Sequence, residues 1–227
     1  MHVGALLARA VAAEPARPLI TYYDDATGER TELSAATLAN WVAKTANLLV
    51  DGCGLGPGDR ALVDLPPHWQ TAAVLLGCWS AGLVPAGQDP DVVFATEDRA
   101  AGYSGEVFGL ALAPLGAPMR SVPAGVTDYV VEVRGHGDHF APPTVDQSDL
   151  CRRAYRRAAE AGIGSGDRVL VDAAVSTDPV DWLLAPLAAG ASIVLCGHFD
   201  PAKRAGRIAT ERISVELTAA PPAAQTP

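Results

Sequence analysis

Residues 54–64 read Gly-Leu-Gly-Pro-Gly-Asp-Arg-Ala-Leu-Val-Asp, and residues 162–172 read Gly-Ile-Gly-Ser-Gly-Asp-Arg-Val-Leu-Val-Asp. The two copies stand 162 − 54 = 108 residues apart, and Ala81-Gly82 returns as Ala189-Gly190 at the same offset. Two separated signatures that share one spacing point to a single supersecondary unit used twice.

Each copy reads the same way. A helical stretch stops at glycine, a tight Gly-x-Gly turn follows, and Asp-Arg opens an apolar strand, at 61–64 in one copy and 169–171 in the other. A helix comes next (68–81 and 179–189), and then a second strand (83–86 and 191–195). Helices alternating with short Val/Leu-rich strands predict an α/β fold of two pseudo-repeated βαβ units, mostly parallel in their sheets and covered by helices on both faces. Unit one spans residues 34–90 and unit two 146–200, within a single domain expected over 1–218.

The Gly-x-Gly elements invite a nucleotide reading, which their position opposes. A phosphate-cradling loop follows a strand and opens a helix, so that helix N-terminal amides face the anion. Here the glycines follow a helix and precede a strand, where glycine caps a helix C-terminus in the left-handed conformation. The turn after the first strand, Leu65-Pro66-Pro67-His68, holds no glycine.

Ahead of unit one, residues 1–13 suit an amphipathic helix, and strands at 19–23 and 30–33 flank the turn Asp24-Asp25-Ala26-Thr27-Gly28 as a hairpin. Ser34 is placed to cap a helix running to Asp51, with Leu38, Trp41, Val42, Thr45, Leu48 and Leu49 on one stripe. Residues 91–125 are weakly patterned, with short strands at 92–95 and 107–112. The β-branched run Tyr129-Val130-Val131-Glu132-Val133 predicts a strand, a polar loop reaches Pro143, and a last strand is expected at 213–217. The Ala/Pro tail, 219–227, is expected to be disordered.

Composition narrows the function classes. The net charge of −9 argues against nucleic acid as a partner, because phosphate binding needs a surplus of Lys and Arg. No apolar run approaches the roughly 20 residues that a membrane helix needs. The N-terminus lacks a basic stretch followed by an apolar run, so no secretory signal is read and the cytoplasm is the expected compartment. Cys53, Cys78, Cys151 and Cys196 are scattered without Cys-x-x-Cys spacing, which fits free thiols rather than zinc or redox pairs.

The ordered set of motifs resembles a known family. Residues 15–20, the hairpin, Thr31-Glu32-Leu33, Ala39-Asn40 and Gly54-Leu55-Gly56-Pro57-Gly58-Asp59-Arg60 look like the opening of the adenylate-forming (AMP-binding, acyl-CoA synthetase-like) enzymes. The likeness continues through Leu65-Pro66, Ala81-Gly82, Asp89-Pro90, Pro186-Leu187-Ala188-Ala189-Gly190-Ala191 and Phe199-Asp200-Pro201. It covers nearly the whole chain in order. More narrowly, the chain resembles short actinobacterial proteins that hold only the start of that fold.

Departures from the family pattern decide the functional expectation. The family's phosphate loop, a Ser/Thr/Gly run closing in Pro-Lys-Gly, should follow residue 133, where this chain has Arg134-Gly135-His136-Gly137-Asp138-His139-Phe140. The lysine and hydroxyls that would hold ATP phosphates by charge and hydrogen bonds are absent there. The family's histidine after the first strand of unit two should fall near Ser176-Thr177-Asp178, and none is present. The chain also stops before the segments that bind adenine, ribose and Mg²⁺ and before the lobe with the catalytic lysine. The resemblance therefore implies a degenerate, truncated member, with no catalytic residue, no cofactor and no metal expected.

Candidate sites follow from what remains. Arg134, Gly135, His136, Gly137, Asp138 and His139 form a degenerate phosphate loop that either holds an anion through amides and guanidinium or is a solvated polar loop; the latter is favoured. Arg152, Arg153, Arg156 and Arg157 make a basic stripe, either a hydrated helix face or a surface for an acidic partner. His2 and His198 stand alone, and His68 either caps a helix or lines a pocket at the strand ends. The expected function is a non-catalytic binding or interaction protein. The alternative is an acyl-, nucleotide- or CoA-binding protein, or an enzyme whose partner supplies the missing adenylation parts. An apolar flank inherited from the longer fold predicts a homodimer or another protein partner covering residues 91–125 and the last strand.

Overall fold

The structure is a computed structural model and describes residues 1–218. The tail for which disorder is expected, 219–227, lies outside the described residues. Helix α1 (Gly4–Ala13) leads to the hairpin β1 (Pro18–Asp24) and β2 (Glu29–Ser34). The hairpin turn is closed by Asp24, whose carboxylate accepts from the amide of Ala26 at 2.8 Å and whose carbonyl accepts from Gly28 at 2.8 Å. Helix α2 (Ala35–Asn47) starts at Ser34, whose hydroxyl accepts from the Thr37 amide, and runs into a π-helical turn, Leu48–Gly52. Strand β3 (Arg60–Asp64), helix α3 (Trp69–Ala81) and strand β4 (Val84–Pro85) complete unit one. Next come β5 (Val92–Thr96), β6 (Glu106–Leu110), β7 (Thr127–Asp128) and α4 (Tyr129–Val133). Unit two holds α5 (Ser148–Glu160), β8 (Arg168–Asp172), a π-helical turn at Val180–Leu184 that continues as α6 (Ala185–Ala189), and β9 (Ser192–Gly197). Helix α7 (Arg204–Glu211) and strand β10 (Val215–Leu217) follow.

Among the described residues the strands form two five-stranded sheets, one in the order β10-β8-β9-β1-β2 and the other β4-β3-β5-β6-β7. Every ladder among the described residues is parallel except the β1–β2 hairpin. Each repeated unit thus founds its own sheet, and the 108-residue offset reappears bond for bond. The Gly56 amide donates to the Asp59 carboxylate at 2.7 Å, as Gly164 does to Asp167 at 2.6 Å. Gly58 donates to the Gly82 carbonyl and Gly166 to that of Gly190, both at 3.1 Å. Val84 and Ser192 donate to the carbonyls of Asp59 and Asp167 at 2.8 and 2.9 Å. The aspartate is therefore in the motif because its side chain closes the turn while its carbonyl registers the next strand. Gly54 and Gly162 take φ of +71° and +67°, the left-handed geometry expected of helix-terminating glycines.

Two local expectations need correction. Strand 83–86 shrinks to Val84–Pro85 at the sheet edge, held by the amides of Val84 and Ala86 on the carbonyls of Asp59 and Ala61 at 2.8 and 2.9 Å, a ladder in which the intervening Pro85 needs no amide. Residues Tyr129–Val133 are a helix, not a strand. The Asp128 carboxylate accepts from the amides of Val130 and Val131 at 2.8 and 3.1 Å and starts a helical turn right after β7. Tyr129, Val130 and Val133 are then buried, while Val131 and Glu132 face out. The Tyr129 hydroxyl meets the Thr45 hydroxyl at 2.7 Å inside the core. Burial and a cap outweigh the strand preference of three valines.

All thirteen residues of α3 are buried. One side, including Trp69, Leu76 and Trp79, joins the core with β1, β8, β9 and α5. The other, Val74, Cys78 and Ala81, joins the core with β3, β5, β6 and α4. Helix α3 can lie so close to α2 because position 77 is glycine: a Cβ there would stand 2.5 Å from Thr45 Cγ2. The outer face of the β1-containing sheet, with Leu170, Val194 and Cys196, packs against Tyr23, Phe199, Ile208 and Ile213.

Candidate functional site

The loop after α4 brings residues 134–140 together, with three of its carbonyls and the Asp138 carboxylate turned to donors on α2. The Lys44 ammonium, on α2, donates to the His136 carbonyl at 2.5 Å and pairs with Asp138 Oδ1 at 3.0 Å. One turn later the Asn47 amide donates to the carbonyls of Gly137 and His139, both at 2.9 Å. The amides of Gly135 and His136 are used in closing α4, on the carbonyls of Glu132 and Val133. Arg134 reaches away and donates to the Gly116 carbonyl at 2.9 Å. His136 lies 4.0 Å from Glu132 across one helical turn. Among the described residues no group of three His, Cys, Asp or Glu side chains is arranged to hold a metal ion.

The four arginines of α5 all meet carboxylates. Arg152 pairs with Asp149, Arg153 with Asp178 at 3.7 Å, and Arg156 with Glu160 at 3.7 Å. Arg157 bridges Glu160 at 2.6 Å and Asp181 at 2.7 Å, tying α5 to the turn before α6. The stripe is thus interleaved with acids from its own helix and from the neighbouring turn.

His68 sits at the start of α3. Its Nδ1 accepts from the Gln70 amide at 3.1 Å, the ring meets Tyr22 edge-on at 4.3 Å, and burial lowers its pKa to about 3. His198 is exposed and lies 3.0 Å from Asp24. His2 Nδ1 accepts from the Gly4 amide, and burial lowers its pKa. The four cysteines are free, and burial raises the thiols of Cys53, Cys78 and Cys196 to about 11, 12 and 12.

Sequence reasoning missed Lys44 and Asn47, which hold the loop, because a cation and an amide on a helix face carry no label for a loop about 90 residues away. It also missed Trp69 and Gln70, although a glutamine inside an apolar helix was a usable signal.

Residues 7–99 match the family described as AMP-binding enzyme. The chain is 46% identical to the TIGR03089 family protein of Mycobacterium tuberculosis, over 93% of this chain and 96% of that protein. Among solved structures it resembles the acyl-CoA synthetase of Brucella canis, with a TM-score of 0.74 at 18% identity over 95% of this chain and 47% of that one. It also resembles the N-terminal domain of FACL13 from Mycobacterium tuberculosis, with a TM-score of 0.67 at 15% identity over 95% of this chain and 62% of that one. At such identities the likeness shows the fold, and the chain spans about half the length of the full synthetase.

Proposed function

The chain belongs to the TIGR03089 family and has the adenylate-forming fold, and from that premise we propose that it is a non-catalytic binding protein. The observation that carries this reading is the polarity of the loop at 134–140. A phosphate there would meet the carbonyl oxygens of His136, Gly137 and His139 and the Asp138 carboxylate, already gathered around Lys44 and Asn47. Phosphate sites need converging donors and cations, and this one presents acceptors around a cation that belongs to the protein itself. The reading takes the cytoplasm as its compartment, where free thiols stay reduced.

The test is carboxylate-dependent exchange of pyrophosphate into ATP with fatty, aryl and amino acids. Exchange at the level of a control without carboxylate is expected, and exchange clearly above it overturns the reading.

A second reading, an acyl- or CoA-binding protein that works with a partner, is favoured by a groove of about 720 Å³ between α1, α2 and residues 140–145, walled by Leu7, Val11, Val42 and Phe140. It predicts ligand-induced melting shifts, since a ligand at 100 times its Kd adds about 2.7 kcal/mol. A surface covered by a second copy or another protein is read directly by light scattering at micromolar concentration, and Leu115 and Val122, both exposed within residues 91–125, are side chains that such a partner would cover.

A further inference from the structure

Three consecutive residues at the start of α3 carry buried polar atoms that nothing in the described structure satisfies. His68 Nε2, Trp69 Nε1 and both amide atoms of Gln70 have no hydrogen-bond partner. The three residues are 1%, 2% and 0% exposed. Buried polar atoms that no protein group pairs call for a partner from outside the chain, and an apolar side chain of the same shape would remove that need.

The unpaired atoms have a readable chemistry. His68 Nδ1 accepts from the Gln70 amide, so in the neutral ring Nε2 bears the proton. Burial lowers the His68 pKa to about 3 and keeps the ring neutral. Trp69 Nε1 can only donate, and the Gln70 amide offers donor and acceptor side by side. Two donors therefore accompany a donor–acceptor edge at the positive end of a thirteen-residue helix.

Within the segment 112–116, residue Gly116 packs directly against Trp69 and Gln70. Gly116 is so close that a Cβ would lie 3.2 Å from Trp69 Cη2 and 3.4 Å from Gln70 Nε2. The segment is strained: Leu112 and Leu115 take φ of +50° and +56°, a region unfavourable for leucine, and Leu115 is 81% exposed. Arg134 fastens it through the Gly116 carbonyl.

We propose that the start of α3 is a binding site for an uncharged carboxamide, with residues 112–116 acting as its lid. The ligand oxygen accepts from His68 and Trp69, and its amide edge pairs with Gln70. A carboxylate fits less well, because Arg134 is turned to Gly116 and a buried anion would lack a cation. This site does not depend on whether the chain activates carboxylates, so the exchange assay and the following test can fail separately.

The test uses the full chain labelled with ¹⁵N at its four tryptophans, and propionamide as the probe, with propionate and propanol as comparisons. The Trp69 indole signal, assigned by its loss in Trp69→Phe, is expected to shift and saturate with propionamide in the millimolar range, more strongly than with either comparison. Gln70→Leu is expected to raise the melting temperature while weakening the response about tenfold or more, because it removes an unpaired buried amide. Leu115→Gly leaves every proposed ligand contact intact and relaxes the closed lid, so it should weaken binding about threefold to tenfold. No Trp69 shift, an equal response to propionate, a lower melting temperature in Gln70→Leu, or unchanged affinity in Leu115→Gly each overturns the proposal.

Discussion

Replacing Asp25 with asparagine removes the charge from one half of an ion pair that is buried on both sides. Arg207 Nη2 and Nη1 donate to Asp25 Oδ1 and Oδ2 at 2.6 and 2.9 Å, and the two side chains are only 6% and 4% exposed. The Asp200 amide donates to the same carboxylate at 2.9 Å, and the Arg207 guanidinium lies 4.3 Å over the Tyr23 ring. The pair fastens α7 to the outer face of the β1-containing sheet. In Asp25→Asn the guanidinium stays buried without its counter-charge, which costs about 3–5 kcal/mol. Against a total stability of about 5–15 kcal/mol the loss is large. For a chain of this length it corresponds to a melting-temperature drop of roughly 6–20 °C.

The pH dependence has a definite sign. The hydrogen bonds from Arg207 above all, with that of the Asp200 amide, hold the Asp25 carboxyl well below its ordinary range. A folded-state pKa below the unfolded value of about 3.9 means that the pair stabilises fully above that value and fades as pH falls toward the folded one. Urea unfolding followed by circular dichroism should therefore show the full gap between wild type and D25N at pH 7 and a narrower gap below about pH 4. Asp149→Asn is the control, because its partner Arg152 and Asp149 itself are 70% and 87% exposed, and it should cost under about 1 kcal/mol. A D25N cost no larger than that of D149N, or a gap that does not narrow in acid, would refute the reasoning.

Gly77→Ala should destabilise by about 1–3 kcal/mol in the same assay despite the better helix propensity of alanine, because the new Cβ would meet Thr45 Cγ2 and Cβ at 2.5 and 2.6 Å. Lys44→Met takes the cation from the His136 carbonyl and Asp138, so limited proteolysis should cut residues 135–140 at least several times faster with little change in melting temperature. Burial above all, with the charges of Glu106 and Glu132, raises the Cys53 thiol to about 11, so alkylation at pH 8 should run on the order of a hundred times more slowly than for a free cysteine. Labelling at the rate of a free thiol would contradict that burial.

The repeated turn was legible in the residues because everything it needs is local. Gly54 and Gly162 supply the left-handed geometry, Asp59 and Asp167 reach back three residues to Gly56 and Gly164, and the apolar strands follow at once. The hairpin with its Asp24 turn and the cap at Ser34 were legible for the same reason. The loop at 134–140 could be read only as a departure from a pattern, a list of side chains without partners.

Tertiary structure decided the rest, wherever a partner far away in the chain chose between local options. Tyr129–Val133 had strand residues, but Asp128 supplied a helix cap and Thr45 a buried hydroxyl for Tyr129. The loop's carbonyls found their donors, Lys44 and Asn47, on a helix about 90 residues earlier. The basic stripe of α5 met Asp178 and Asp181 across a packing contact that no spacing announces. The two copies of the repeat went to separate sheets because β1 lies beside β9 while β5 lies beside β3, a pairing set by which apolar faces could be buried together. Propensity and turn chemistry act within a few residues of the chain. Burial, and the pairing of groups that burial would otherwise leave unsatisfied, act between segments that meet only in the folded molecule.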